Sequence, residues 1–426
     1  MSIVALNKAI AILTALTLLT LSCRKNGESM AIAGIAPDTG KHSSIVTITG
    51  SGFSTNPAEN KVTFNGRQAV VQNASATLIH AFVPKGAGTG PVKVERGGRL
   101  AAGPDFHYVY TATVSTLAGG GTSGFADGEI GTAKFSNPAD VAVDGQGNIY
   151  VADHGNFRVR KITPAGTVTT LAGRSTYGFT DGPGSVAQFF TPAGLAVDGT
   201  GTVYVADIFN NCIRKITPAG VVSTLAGNTT PGFTDGEGSA ARFYKPGNLA
   251  LDARGNVYVS DHENNSIRKI SPGGVVSTLA GNGTERPGFA DGTGSAARFN
   301  NPSGIAVDGQ GTVYVADLGN HRIRKISPSG NVSTLAGSGV PGFADGAGST
   351  ARFFHPAGLA IDAKGNVYVA DNFNHRIRKI TPGGLVTTVA GGSDQFYQPT
   401  GIALDLLGNI YTTEFWKSRI ARTILE

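Results

Sequence analysis

One unit recurs six times in the C-terminal three quarters of the chain, and this repetition limits the fold more than any other feature. A representative copy opens with Pro192-Ala-Gly-Leu-Ala-Val-Asp198 and continues through Val203-Tyr-Val-Ala-Asp207 and Ile213-Arg-Lys-Ile216 to Val222-Ser-Thr-Leu-Ala-Gly227. The same frame begins at Pro138, Pro192, Pro246, Pro302, Pro356 and Pro399. The period is about 54 residues for most copies, the range of a propeller blade with its loops. Each copy divides into four short strands separated by Asp-x-x-Gly, Asp-x-x-Asn and Pro-x-Gly, all turn-forming sequences. One four-stranded sheet buries little by itself, so the units must pack face to face in a ring. The last copy ends at Glu426 after its third strand, and an unmatched fourth strand, Val114-Ser-Thr-Leu-Ala-Gly119, precedes the first. That strand is expected to complete the final blade and close the ring, which removes an exposed sheet edge.

The sequence ahead of the repeats reads differently. Ile45 to Thr49 is β-branched throughout, Lys61-Val-Thr-Phe64 alternates into an Asn65-Gly66 hairpin turn, and Leu78 to Val83, Pro91 to Val94 and Phe106 to Tyr110 supply further strands. This is the texture of a β-sandwich. The segments VTITGSGFS, VTFNG, VPKGAGTGPVKV and FHYVY resemble the IPT/TIG domain, an immunoglobulin-like fold that the resemblance implies is a spacer or interaction module. The repeats, clearest from Tyr368 to Ile380 with NHRIRKI whole, resemble the NHL family. That resemblance implies a propeller but no single function, because NHL proteins include protein-binding, RNA-binding and enzymatic members. The expected fold is therefore all-β: an immunoglobulin-like β-sandwich followed by a six-bladed β-propeller closed by an N-terminal strand in its last blade.

The N-terminus reads as an address. Ala9 to Leu21 is an apolar run of signal-peptide length, Lys8 precedes it, and Ser22-Cys23 follows in the manner of a bacterial lipoprotein cleavage site. The expected organisation is a signal peptide over 1–22, a linker over 23–30 after a lipidated Cys23, an IPT/TIG-like sandwich over 31–110, and a six-bladed NHL-type propeller over 111–426. The protein is expected to be exported and lipid-anchored to a bacterial membrane, the outer membrane in particular, touching membrane only through that anchor. A net charge of +6 over 426 residues is mild, and with an export signal it argues against a nucleic-acid partner. With only Cys23 and Cys212 present, no structural disulfide is expected.

Repetition separates framework from function. Positions identical in every copy serve the blade. The recurrent Asp153, Asp207, Asp261, Asp317 and Asp371 read as turn-stabilising side chains, and Arg160, Arg214, Arg268, Arg324 and Arg378 as inter-blade stacking and pairing groups. Positions that vary on one face are free to bind. Strand direction places the loop between strands two and three on the same face as the long inserts between blades. Its variable residues supply candidate contacts: His154, Phe209, His262, Phe373, His375, Phe415 and Trp416. The connection into the last blade is short, so a notch is expected there, and Phe396 and Tyr397 join Trp416 as candidates for stacking on a sugar or receiving a peptide. Asp140 and Asn248 replace a Gly found at the matching position of the other copies, which suggests side chains facing the channel and a candidate Ca²⁺ site. No cofactor is otherwise expected, and no catalytic residues are assigned. The leading function is a cell-surface or periplasmic recognition module for a glycan or protein partner, with the first domain as spacer. The alternative is a channel-metal-dependent hydrolase or lyase of the propeller lactonase type.

Overall fold

The computed structural model describes residues 29–283 and 286–426. The leader and Cys23 lie outside the described residues. The chain divides into two compact units, Met1–Val109 and Tyr110–Glu426. Among the described residues no helix is long and apolar enough to cross a membrane.

The first unit is a two-sheet sandwich. One sheet orders Ala31–Ala36, Ile45–Ser51, Leu78–Phe82 and Val70–Ala74; the other orders Thr39–Gly40, Arg99–Tyr108, Gly90–Arg96, Lys61–Phe64 and Arg67–Gln68. Alternation along Ile45–Ser51 and Gly90–Arg96 buries Val46, Ile48, Val92 and Val94 between the sheets. Phe64 and Phe106 meet edge to face at 5.1 Å in the middle of this core. Asn65 and Gly66 both take positive φ, 47° and 81°, as the expected tight hairpin requires. The strand after that hairpin does not stay beside it. The chain leaves the sheet after Gln68 and enters the opposite one at Val70.

The second unit is a closed ring of six antiparallel sheets. Its inner strands are Pro138–Val143, Pro192–Val197, Pro246–Leu251, Pro302–Val307, Pro356–Ile361 and Pro399–Leu404, each touching the next and the last touching the first. Apolar clusters fill the spaces between adjacent sheets. The ring closes as expected. Ala112–Gly119 pairs antiparallel with Arg419–Leu425, from Ala112 opposite Leu425 to Gly119 opposite Arg419. In four blades a two-residue strand from the insert, such as Gly128–Glu129, adds a fifth, outermost strand.

Each repeated Arg clamps an insert onto its blade. In the third blade Arg268 is fully buried. Its Nη1 donates to Asp261 Oδ2 at 2.7 Å and to the Arg242 carbonyl at 3.0 Å, and its Nη2 donates to Asp235 Oδ1 at 2.6 Å and the Thr234 carbonyl at 2.9 Å. The guanidinium lies between Phe233 and Phe243, 4.6 Å and 5.1 Å from their ring centres. The same constellation recurs around Arg160, Arg214, Arg324 and Arg378. Asp127 and its equivalents in the other inserts are the exposed partners of the clamp. One sequence expectation is refined. Asp153 and its equivalents do not cap their own turn; each accepts a backbone N–H from the end of the preceding insert, as Asp261 Oδ1 does from Tyr244 at 2.8 Å. In the last blade Glu414 takes this place and accepts the Tyr397 N–H at 3.1 Å, while the arginine moves to Arg419.

Phe396 corrects the site reading. It stands three residues before Pro399, as Phe135, Phe189, Phe243, Phe299 and Phe353 stand three before their own prolines, and like them it has essentially no exposure. It is part of the apolar core between the fifth and last blades and is not available to a ligand.

Candidate functional site

The inserts and the loops between strands two and three share one face. In each of the first five blades the Asn of the Asp-x-x-Asn turn donates to an insert carbonyl at 2.8 Å, as Asn264 does to Gly232. On this face the channel mouth opens into a cavity of about 530 Å³ to which all six blades contribute. Such a volume suits one small ligand or a short piece of a larger one.

Small residues of the inner strands form its floor: Ala139, Ala193, Gly194, Gly247, Ala357, Gly358 and Gly401. Close approach of the inner strands dictates the glycines. A Cβ at Gly304 would strike the Ala357 carbonyl, and one at Gly358 would strike the Thr400 carbonyl. The wall comes from residues that differ between blades. The first residue after strand two supplies His154, Ile208, His262, Leu318 and Asn372; the next supplies Phe209, Glu263 and Phe373. Lys245 and His355 join them from the position just before the blade-opening proline, where the backbone is left-handed with φ of 49° and 51°. The sequence reading missed both. Their signal was available, because that position runs Asn137, Thr191, Lys245, Asn301, His355, Gln398 and so takes five identities in six copies.

The wall mixes apolar side chains with polar ones, and its polar groups are nearly neutral. Lys245 Nζ pairs with Glu263 Oε1 at 3.2 Å. Burial holds the imidazoles of His154, His262 and His355 below the usual range, which keeps them uncharged at neutral pH. His262 is fixed by both nitrogens, Nδ1 at 3.2 Å from the Pro302 carbonyl and Nε2 at 3.2 Å from Asn301 Nδ2. Asn372 Nδ2 donates to the Pro399 carbonyl at 3.0 Å.

Asp140 and Asn248 do face the channel, and they meet across the second blade. Asn248 Nδ2 donates to Asp140 Oδ2 at 3.1 Å, and the Leu195 N–H donates to the same oxygen at 3.0 Å. Asn248 Oδ1 accepts the Leu249 N–H at 2.6 Å. The pair separates the upper cavity from a smaller one of about 220 Å³ lower in the channel. Its arrangement does not fit Ca²⁺. An amide donor, not an oxygen, is turned toward the carboxylate, and no group of three or more His, Cys, Asp or Glu side chains suited to a metal occurs among the described residues. Burial pushes the Asp140 carboxyl from its ordinary 3.8 up to about 7, against the opposing hydrogen bonds from Leu195, Val141 and Asn248.

A raised carboxyl pKa means that the folded chain binds the proton more tightly than the unfolded one. This contribution to stability is complete below about pH 4 and is lost as pH climbs through about 7. Asp140→Asn should therefore match the parent in thermal melting near pH 4 and exceed it increasingly toward pH 8, by an amount on the order of a few kcal/mol. A melting difference that is flat with pH would contradict the buried-carboxyl assignment.

The other sequence candidates sit outside this cavity. His375 Nδ1 accepts the Gln398 N–H at 3.0 Å, which latches the fifth blade to the sixth, and its ring stacks on Tyr397 at 5.5 Å. Tyr397 and Trp416 are 40% and 65% exposed on the rim, with Phe415 packed edge to face against both Trp416 and His154. The cavity thus lies at the channel mouth, and the short connection into the last blade stays on the rim outside it.

Comparison with known proteins agrees with this architecture. The IPT/TIG domain model matches residues 30–108, and the NHL repeat model matches residues 135–162, 299–326 and 353–380. The chain is 31% identical to NHL repeat-containing protein 2 of Gallus gallus over 334 residues, covering 68% of this chain and 46% of that protein. It therefore spans less than half the length of that relative. Two solved structures from Bacteroides thetaiotaomicron share the fold over 93% of this chain and 98% of theirs. One is a structural genomics protein of unknown function, with TM-score 0.61 and 22% identity. The other is an auxiliary nutrient binding protein, with TM-score 0.56 and 17% identity. The chain is an NHL-repeat β-propeller protein that carries an N-terminal IPT/TIG domain.

Proposed function

We propose that the protein is a surface recognition module, in which the cavity at the propeller's channel mouth binds a glycan or a protein partner. The IPT/TIG domain serves as spacer, residues 1–22 as export signal, and Cys23 as the lipid attachment that holds the protein at a bacterial outer membrane. One observation carries this reading: a rigid, repeated framework surrounds a concave site whose wall residues differ from blade to blade. Variable polar and aromatic side chains on fixed short turns are what selective recognition uses. The fold-level likeness to an auxiliary nutrient binding protein accords with it.

The test is a screen of glycan and peptide arrays with the chain freed of its first 23 residues. Ser303 lies on the cavity floor and is only partly buried. Ser303→Phe should fill the cavity and abolish array binding while leaving thermal melting close to the parent's. Retention of every bound ligand by a folded Ser303→Phe protein would place recognition elsewhere.

A further inference from the structure

The six blades are not six independent variations. At the second residue after strand two the series runs Gly155, Phe209, Glu263 and then Gly319, Phe373, Trp416. Two residues before the blade-opening proline it runs Ser136, Phe190, Tyr244 and then Asn300, Phe354, Tyr397. Blades three apart match: glycine in the first and fourth, a Phe pair in the second and fifth, and tyrosine before the proline in the third and sixth. In a closed ring of six, blades three apart face each other across the channel.

The matching extends to geometry. Phe209 packs on Phe190 at 5.0 Å with the rings tilted 43°, and Phe373 packs on Phe354 at 5.1 Å with the same tilt. Phe209 is 46% exposed and Phe373 is 39% exposed, and both line the one cavity. Each is thus a ring held rigid from behind with its free surface on the site. Between them the first and fourth blades have no side chain at this position. A Cβ at Gly155 would strike Ser136, and a Cβ at Gly319 would strike Asn300.

We infer that the cavity is a slot with two aromatic walls for a neutral oligosaccharide of at least two rings, held between Phe209 and Phe373; this rests on the cavity's being the binding site proposed above. The C–H face of a pyranose stacks on an aromatic ring, while its edge hydroxyls need hydrogen-bonding groups. Asn372, Asn248 and Ser303 supply such groups on the same cavity. Among the described residues, the only carboxylate and ammonium groups on its lining are Asp140, which is bonded to Asn248, and the Lys245–Glu263 pair. A phosphate or a carboxylate ligand would find the one lining ammonium already paired with Glu263, and Asp140 already accepts hydrogen bonds from Asn248 and the Leu195 N–H.

The experiment is calorimetric titration of the chain freed of its first 23 residues with neutral gluco-, manno-, xylo- and galacto-oligosaccharides of one to six units. Acidic oligosaccharides and tripeptides form the comparison arms. One neutral series should gain at least about ten-fold in affinity between one ring and two or three. Phe209→Ala and Phe373→Ala should each remove about that gain, and Phe209→Tyr and Phe373→Tyr should keep it, all with parent-like melting. Four results would overturn the inference: a monosaccharide bound as tightly as its oligomers, dependence on only one of the two Phe residues, binding confined to acidic sugars or peptides, or no neutral oligosaccharide bound at millimolar concentration. If Ser303→Phe abolishes binding of an acidic sugar or peptide, the cavity remains the site and only its assignment to neutral oligosaccharides fails.

Discussion

Arg268→Ala should lower the stability of the propeller by about 3–5 kcal/mol, the cost of removing one partner from a buried ion pair. The guanidinium it deletes is fully buried and makes four hydrogen bonds of 2.6–3.0 Å, so Asp261 is left buried beside a hole flanked by two Phe rings. Arg268→Lys should recover little, because an ammonium cannot span two carboxylates and two carbonyls in one plane. The insert that the arginine holds, from Phe233 to Phe243, should become sensitive to protease near Arg242. Lys61→Ala breaks a pair whose side chains are 55% and 45% exposed, and should change stability by no more than about 0.5 kcal/mol. Chemical denaturation and limited proteolysis of the three variants check the order. An Arg268→Ala protein as stable as Lys61→Ala would mean that the inserts are held by their own packing.

Deleting residues 111–119 from the full chain should abolish cooperative unfolding of the propeller. The deletion takes Ala118 and Leu117 out of the apolar cluster between the last and first blades, and Ala112 and Val114 out of the cluster between the fifth and last. It also bares the edge of Arg419–Leu425, which is paired along its whole length in the intact ring. An open strand edge of this kind pairs with other chains, so loss of a sharp transition should come with concentration-dependent association. The measurements are calorimetry and light scattering. A deletion variant that melts in one sharp transition at the parent's temperature would show that the ring does not depend on its closing strand.

The two variants separate two levels of the fold. The arginine clamp is a local device, built five times, and its loss should loosen one insert. The closing strand is a single device with no copy, and its loss opens every interface to fraying, because each blade is stabilised mainly by its neighbours. Proteolysis should distinguish them: one cleavage region for Arg268→Ala, many for the deletion.

What the sequence determined by itself was the framework. Hydrophobic alternation and turn residues repeat with fixed spacing, and a missing fourth strand at one end matched by an unpaired one at the other leaves ring closure as the natural solution. The Phe three residues before each proline was equally legible, and comparison among the six copies places Phe396 in the core despite its short connection. Tertiary structure decided the site. Whether a variable side chain reaches the channel mouth depends on left-handed backbone before each proline and on how closely the inner strands approach, and neither leaves a mark in one copy's sequence. Thus Lys245 and His355 enter the cavity, Tyr397 and Trp416 stay on the rim, and Asp140 spends its hydrogen-bonding capacity on Asn248 and the backbone of Val141 and Leu195. The physical reason is that repetition encodes contacts made in every blade, whereas a binding site on the axis is built from single residues that only ring closure brings together.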